Sequence, residues 1–564
     1  MPRRRSSRRL VASLALALAT LSVSVAAPAA RSALPAVHAA AAPALAGASS
    51  GAGGTLRTAF DADFSTLDPA VGYDPFTWTG EHAIFDGLLD YQDGVGQSGT
   101  VLVPRLAAAL PVISDGGLIY TFTLRHGVLF QAPVSREVTS DDVRYSIERA
   151  LSPKLPGTAV PAMFQSPFWS SLQGVGTFWK GKAAHVSGIT VQGRYTISFR
   201  LTARDQAFLN VLTMPFTSVV PREWVQRWGA KFSDHALGTG PFLLQSWTHG
   251  QRMTLARNPR YFRAGLPHLA QVTIDVGVAD HLQVQRVQAG ALDLGGNLVT
   301  SADYLSLLGN PASAANLTSA PDVAVNYLAF NLKQKPFADN LAQRQAVNMA
   351  INKSFILRLI NQRGVPMNGV LPPTMPGADA HFTYYAYNPA MATSLLQKAG
   401  YRAGQLSITL SYLDQGDFGK VATQVQSDLG GIGIKVTLKP VTSQVWYGSV
   451  AYNTSKEGQL VLAPWGQDYP DPSDFFDPIL SCSGNSNAAG YCNPTVDQLG
   501  NQARATANIA TRYALYRQME RLVMADAPWV PLYDGVLYDF HGPRLKNFFI
   551  HPVWPFIYAD YTVQ

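Results

Sequence analysis

From Thr55 onward the hydrophobic positions repeat with two different periods. Alternation at every second residue over LIYTFTLR (118–125), YTISFRL (195–201) and VAVNYLAFNL (323–332), all rich in aromatic and β-branched residues, predicts strands. Helices are predicted where a capping residue precedes a helical run. Thr139 with Asp142 opens DDVRYSIERAL, Asn388 with Pro389 opens a helix ending at Gly400, and Asp417 opens one ending at Gly430 and Gly431. The strand IKVTLKPV follows that glycine pair, so helix, stop and strand form an α/β unit. A helix near 511–525 ends before Pro528 and leads into the strand VPLYDGVLYDF. The fold class predicted is therefore α/β with mixed sheets.

The first residues change the picture only for targeting. Five arginines within residues 3–9 precede an uncharged apolar run from Leu10 to Ala27, and small residues reach a cleavage site near VHAA (37–40). This predicts a cleaved secretory signal over 1–40; Ser7 to Val11 sit where a twin-arginine signal places its core, and an uncleaved anchor is the alternative. With no cysteine before Cys482, no lipid-anchoring cysteine is available, and the mature chain is expected to be exported and free. Residues 41–54 read as a flexible linker; GASSG (47–51) matches a nucleophile elbow in letters but has no strand before it or helix behind it.

The formal charge of +7 is mostly that of the leader, because removing the six arginines within residues 1–54 leaves +1. No basic stripe remains, which argues against a nucleic-acid partner. Cys482 and Cys492 enclose nine residues, and in an oxidising compartment a disulfide is the natural reading; a zinc site is the weaker one, as no histidine lies nearby.

One stretch carries candidate binding chemistry. WGQDYPDP (465–472) sets Asp468 between Trp465 and Tyr469 and stiffens the exit with Pro470 and Pro472. A carboxylate held among aromatics gains most by pairing with an ammonium. Asp471 and Asp474 read as the cap and near capping box of the next helix, whereas Asp468 lies outside that cap. Asp68, before Pro69, reads as a turn residue.

These strings, in order, resemble the solute-binding proteins of the oligopeptide, dipeptide and nickel ABC importers. The resemblance is carried by TLDP (66–69), EHAIFDGLL (81–89), VPRLA (103–107), YTFTLRHGVLF (120–130), VTSDDVRYSIERAL (138–151), GTGPF (238–242), NPRYF (258–262), residues 326–353 and the aromatic-acid loop. It implies a periplasmic-binding-protein-like, two-lobed fold with an extra small domain and two crossover strands, at VAVNYLAFNL and PLYDGVLYDF. The implied segments are lobe I at 55–90, 186–324 and 531–564, the extra domain at 91–185, and lobe II at 325–530. It further implies that Asp468 meets a peptide α-ammonium, that Trp465, Tyr469, Tyr73 and Asn297 stand near the ligand, and that the partners are a permease with its ATPase subunits. The protein itself is expected to act as a monomer.

No catalytic constellation is present: the eleven histidines are scattered, no HExxH occurs, and GTGPF lacks a P-loop lysine. No cofactor and no catalytic residue is expected. The alternatives are another solute class, such as a nickel chelate, an oligosaccharide or an opine-like compound, and a secreted hydrolase. For nickel, His82, His381 and His541 would be the histidines to place.

Overall fold

The computed structural model describes residues 53–155, 167–297, 299–448 and 458–564. The export signal and most of the linker lie outside these residues. Gly53 and Gly54, read as linker, instead open the strand Gly53–Ala59. A Cβ on Gly53 would stand 2.2 Å from the His268 carbonyl oxygen, so the missing side chain is what lets this strand start flush against its neighbour.

That strand lies second from one edge of a five-stranded sheet. It pairs in parallel with Leu269–Asp275 and Leu294–Gly295, and Arg252–Arg257 and Phe242–Thr248 extend the sheet antiparallel. Leu56, Val272, Ile274, Leu255 and Met253 bury one face, joined by Phe556, Tyr558 and Tyr561 from the end of the chain. The first lobe is thus closed by the C-terminal segment.

A separate four-stranded antiparallel sheet runs in the order Val112–Ser114, Ile119–Thr123, Thr196–Arg200, Ile189–Gln192. The last two strands form a hairpin turning at Gly193, where φ is +67°. The small domain therefore runs past the predicted limit at 185 to at least Arg200, because the buried Ile197 and Phe199 belong to its core.

The second lobe is built on a seven-stranded mixed sheet containing Ala324–Phe330, Leu406–Leu413, Ile434–Val441 and Leu460–Gly466. The strand Trp529–Phe540 links it to the first lobe. Its first half pairs with Ala324–Phe330 and its second half with Leu317–Pro321, and a bridge from His541 to Leu294 reaches the five-stranded sheet. At ~3.3 Å per residue such a strand covers roughly 40 Å, enough to pass from one lobe to the other. The first crossing begins earlier than predicted, at Leu317, with Asp322 and Val323 between its two strands.

The predicted helices occur, two of them with the expected caps. Thr139 and Asp142 form a reciprocal capping box on Ser140–Ala150, and Asn388 accepts from the Met391 N–H at the start of Pro389–Lys398. Cys482 and Cys492 are disulfide-bonded. Inside their loop the Asn487 amide bonds to Ser481 and Tyr491, at 2.6–3.1 Å, which folds the loop on itself. Replacing both cysteines by serine is expected to lower unfolding stability by about 2.7 kcal/mol in the chain-entropy picture, read as a lower denaturant midpoint.

Candidate functional site

Between the two lobes lies a cavity of about 290 Å³. Tyr73, Asp74 and Trp78 line it from the first lobe; Asn326, Tyr327, Trp446, Trp465 and Asp468 line it from the second; Tyr533, Leu537 and Tyr538 of the crossover strand form the back. Ser486 and Ala488 place the disulfide loop in its wall. The lining is dominated by aromatic rings with a few charges, the composition expected of a ligand pocket.

Asp468 is 9 % exposed and takes a hydrogen bond from the Tyr73 hydroxyl of the opposite lobe. Its own N–H donates to Asp474 at 2.8 Å, so Asp474 is not the helix-capping partner of Asp471 that its spacing predicted. Asp471 does cap the following turn, through the Ser473 N–H at 2.9 Å, and is held by Arg512 at 2.6 Å. Burial pushes the Asp468 carboxyl up to about 7, with the Tyr73 hydroxyl tempering the rise. Burial and the adjacent Asp468 charge push Asp474 well above the ordinary carboxylate range. Burial thus disfavours charge on both acids, and Asp468, the one on the cavity wall, is the acid that an incoming cation would ionise fully.

The other predicted ligand residues divide. Trp465 and Tyr73 line the cavity. Tyr469 does not: it lies in the bend that follows the strand Leu460–Gly466, is 1 % exposed, and packs edge-on against Phe168 with ring centroids 6.0 Å apart. It joins the lobes as a core ring. Asn297 is also off the lining; its amide oxygen accepts from the Asp61 N–H at 2.9 Å and its amide donates to the Asp61 carboxylate at 2.6 Å. Asp61 in turn meets Ser443 at 2.5 Å and Gln415 at 3.3 Å from the second lobe. Asn297 thus orients an interlobe contact.

Sequence reasoning missed four charged lining residues, Asp74, Asp322, Arg363 and Asp417. Asp417 was read as a helix cap, but no cap bond forms. Its carboxylate accepts from the Ser301 N–H at 2.9 Å and hydroxyl at 2.7 Å across the lobe boundary, and pairs with Arg363 and with Lys420 at 2.9 Å. Arg363 reaches back to the Val299 carbonyl at 2.6 Å. Asp322 lies where the first crossing breaks, a position that sequence marks only by the Pro321–Asp322 interruption between two strand-like runs. Of the histidines, His82 pairs with Asp90 at 3.1 Å, His541 sits against the Gly542 carbonyl at 3.1 Å, and His381 is exposed; none lines the cavity. Among the described residues no group of three or more His, Cys, Asp or Glu side chains could hold a metal ion. Asp68, read as a turn residue, forms that turn and is clamped by Arg149.

Two lobes joined by crossover strands and enclosing an aromatic, acid-bearing cavity define a solute-binding protein. The family model for bacterial extracellular solute-binding proteins, family 5, matches residues 101–487, and the chain belongs to that family. The di/tripeptide-binding protein 2 of Pseudomonas aeruginosa is 27 % identical over 525 residues, covering 88 % of this chain and 93 % of the relative. The heme-binding protein A of Haemophilus influenzae is 28 % identical over 501 residues, covering 83 % and 85 %. Among solved structures, the dipeptide-binding protein of a Pseudoalteromonas species in complex with Met-Leu superposes with a TM-score of 0.80 at 23 % identity, over 90 % of this chain and 100 % of that one. The periplasmic binding protein DppA of Helicobacter pylori with the peptide STSA gives 0.78 at 24 % identity, over 91 % and 98 %. At such identities the structures establish the shared two-lobed fold.

Proposed function

We propose that this protein is exported, captures di- or tripeptides between its lobes and hands them, unaltered, to a membrane permease driven by separate ATPase subunits. The observation that carries the reading is Asp468: a buried carboxylate on the cavity wall, held by Tyr73 from the facing lobe and placed to receive an α-ammonium. Similarity to di/tripeptide-binding relatives supports the same ligand class. A volume of about 290 Å³ is at the small end of ligand pockets, which suits short peptides better than long ones. No helix among the described residues is long and apolar enough to cross a membrane.

Calorimetry with di- and tripeptides, followed by mass spectrometry of the recovered ligand, tests the proposal. Stoichiometric binding with the peptide returned intact is expected; turnover would identify a hydrolase instead. Affinity should also follow the ionisation of both partners. Asp468, at about 7 in the free protein, must be ionised, so affinity is lost as pH falls through that value. The peptide amine, with a pKa of about 7.7–8.0, must be protonated, so affinity is lost again above that range. Binding is expected to peak between about pH 7 and 8 and to be roughly five- to tenfold weaker at pH 6. A flat profile from pH 6 to 7.5 would remove Asp468 from the ammonium site.

A further inference from the structure

The charges on the cavity wall do not balance. Arg363 is the only cation among the described lining residues, and it is already engaged by Asp417 and by the carbonyls of Val299 and Ile360, at 2.6 and 3.1 Å. Its guanidinium also lies over the Tyr304 and Tyr538 rings, at 5.4 and 5.8 Å. Asp74 is occupied as the cap of the helix Pro75–Ile84, accepting from the Thr77 N–H at 2.8 Å and the Ser65 hydroxyl at 2.6 Å. Asp468 is held by Tyr73. Asp322 differs from all of these. Its carboxylate has no hydrogen-bond donor and no cation among the described residues, although its backbone is fixed by an N–H donated to the Gly535 carbonyl at 3.1 Å.

The register places this acid relative to Asp468. Ala324 pairs with Gly466, and one residue further out the Gln467 N–H still donates to the Val323 carbonyl at 3.1 Å. Asp322 and Asp468 therefore leave adjacent antiparallel strands at the same level, and both reach the cavity. The adjacent Asp534 is lifted to about 8 by burial and by the Asp322 charge, whereas burial lifts Asp322 only to about 6. Of these two acids, Asp322 is the one that carries the negative charge at neutral pH. Tyr533, Leu537 and Tyr538 run along the same wall and offer apolar surface on which an alkyl stem can lie. An α-ammonium alone satisfies Asp468 and leaves Asp322 uncompensated.

We infer that Asp322 is a second cation-binding position and that the preferred solute is a short peptide bearing a basic side chain. The inference rests on the peptide reading above and adds the side-chain class. It is tested with peptide pairs that differ in charge but hardly in shape: Ala-Lys and Lys-Ala against the corresponding norleucine peptides, in calorimetry at pH 7.5. At least one lysyl peptide is expected to bind about tenfold or more tightly than its norleucine counterpart. In Asp322→Asn that ratio should fall below about threefold, whereas Asp322→Glu, which keeps the charge, should retain a clear preference. The wild-type ratio is decisive without any variant. Equal affinities for lysyl and norleucyl peptides in the wild type overturn the inference while leaving the peptide reading intact. So does a lysyl preference that survives in Asp322→Asn. Failure of all four peptides to bind overturns both.

Discussion

Asp468→Asn is expected to weaken binding of a di- or tripeptide by about 2 kcal/mol or more, roughly 30-fold, with little change in the stability of the free protein. The substitution keeps size and shape, and the Asn oxygen can still accept from the Tyr73 hydroxyl. What disappears is the negative charge. Burial already disfavours that charge in the free protein, holding the carboxyl at about 7, so a ligand ammonium supplies stabilisation that the protein itself withholds. Without the charge, the ammonium of a bound peptide is buried against a neutral amide and recovers little of its lost hydration. Tyr73→Phe should cost much less, since it removes one hydrogen bond and leaves the charge, and it should shift the pH profile upward because the hydroxyl lowers the Asp468 pKa. Calorimetry of the two variants checks the order. Equal losses in both would mean that Asp468 acts through Tyr73 and lobe contact, with no ammonium of its own to bind.

The parts of this site that were readable from sequence are those set by local rules. Period-two runs became strands with the expected inward faces, and cap residues located helix starts to within a residue or two, as at Thr139 and Asn388. Asp468 stood out because the caps around it left it without a local task. Local rules also misled where a side chain had two possible partners. Asp474 had capping-box spacing, yet the N–H it accepts belongs to Asp468, upstream of the cap. Asp417 did precede its helix, but Arg363, Lys420 and Ser301 outcompete the helix N-terminus for its carboxylate. Those partners lie 54 and 116 residues away in the cases of Arg363 and Ser301, beyond the reach of any periodicity. Tyr469 failed for a different reason. It lies in a bend past the end of the strand, where no periodicity fixes which way a ring turns, and the Phe168 ring that holds it is remote in sequence.

The Asp417 contact leads to the second large effect. Asp417→Ala is expected to reduce peptide affinity by about 3 kcal/mol, on the order of 100-fold, without removing any group that the peptide reading assigns to the ammonium. With the lobes together, Asp417 accepts two hydrogen bonds from Ser301 and neutralises Arg363, whose side chain is only 9 % exposed. Removing the carboxylate leaves that guanidinium buried beside the Val299 carbonyl with no counter-charge. Separation of the lobes would let water reach the same arginine. The substitution therefore raises the free energy of the closed arrangement more than that of an open one, and a ligand that requires closure must offset the difference. Gln415→Ala provides the contrast, because its bond to Asp61 is neutral on one side, long at 3.3 Å, and one of several holding that carboxylate; a loss below about 1 kcal/mol is expected. Small-angle scattering should show Asp417→Ala more expanded than wild type without peptide and compact again at saturation. An affinity within threefold of wild type, or an unchanged radius of gyration, would mean that the Ser301 contact does not control closure.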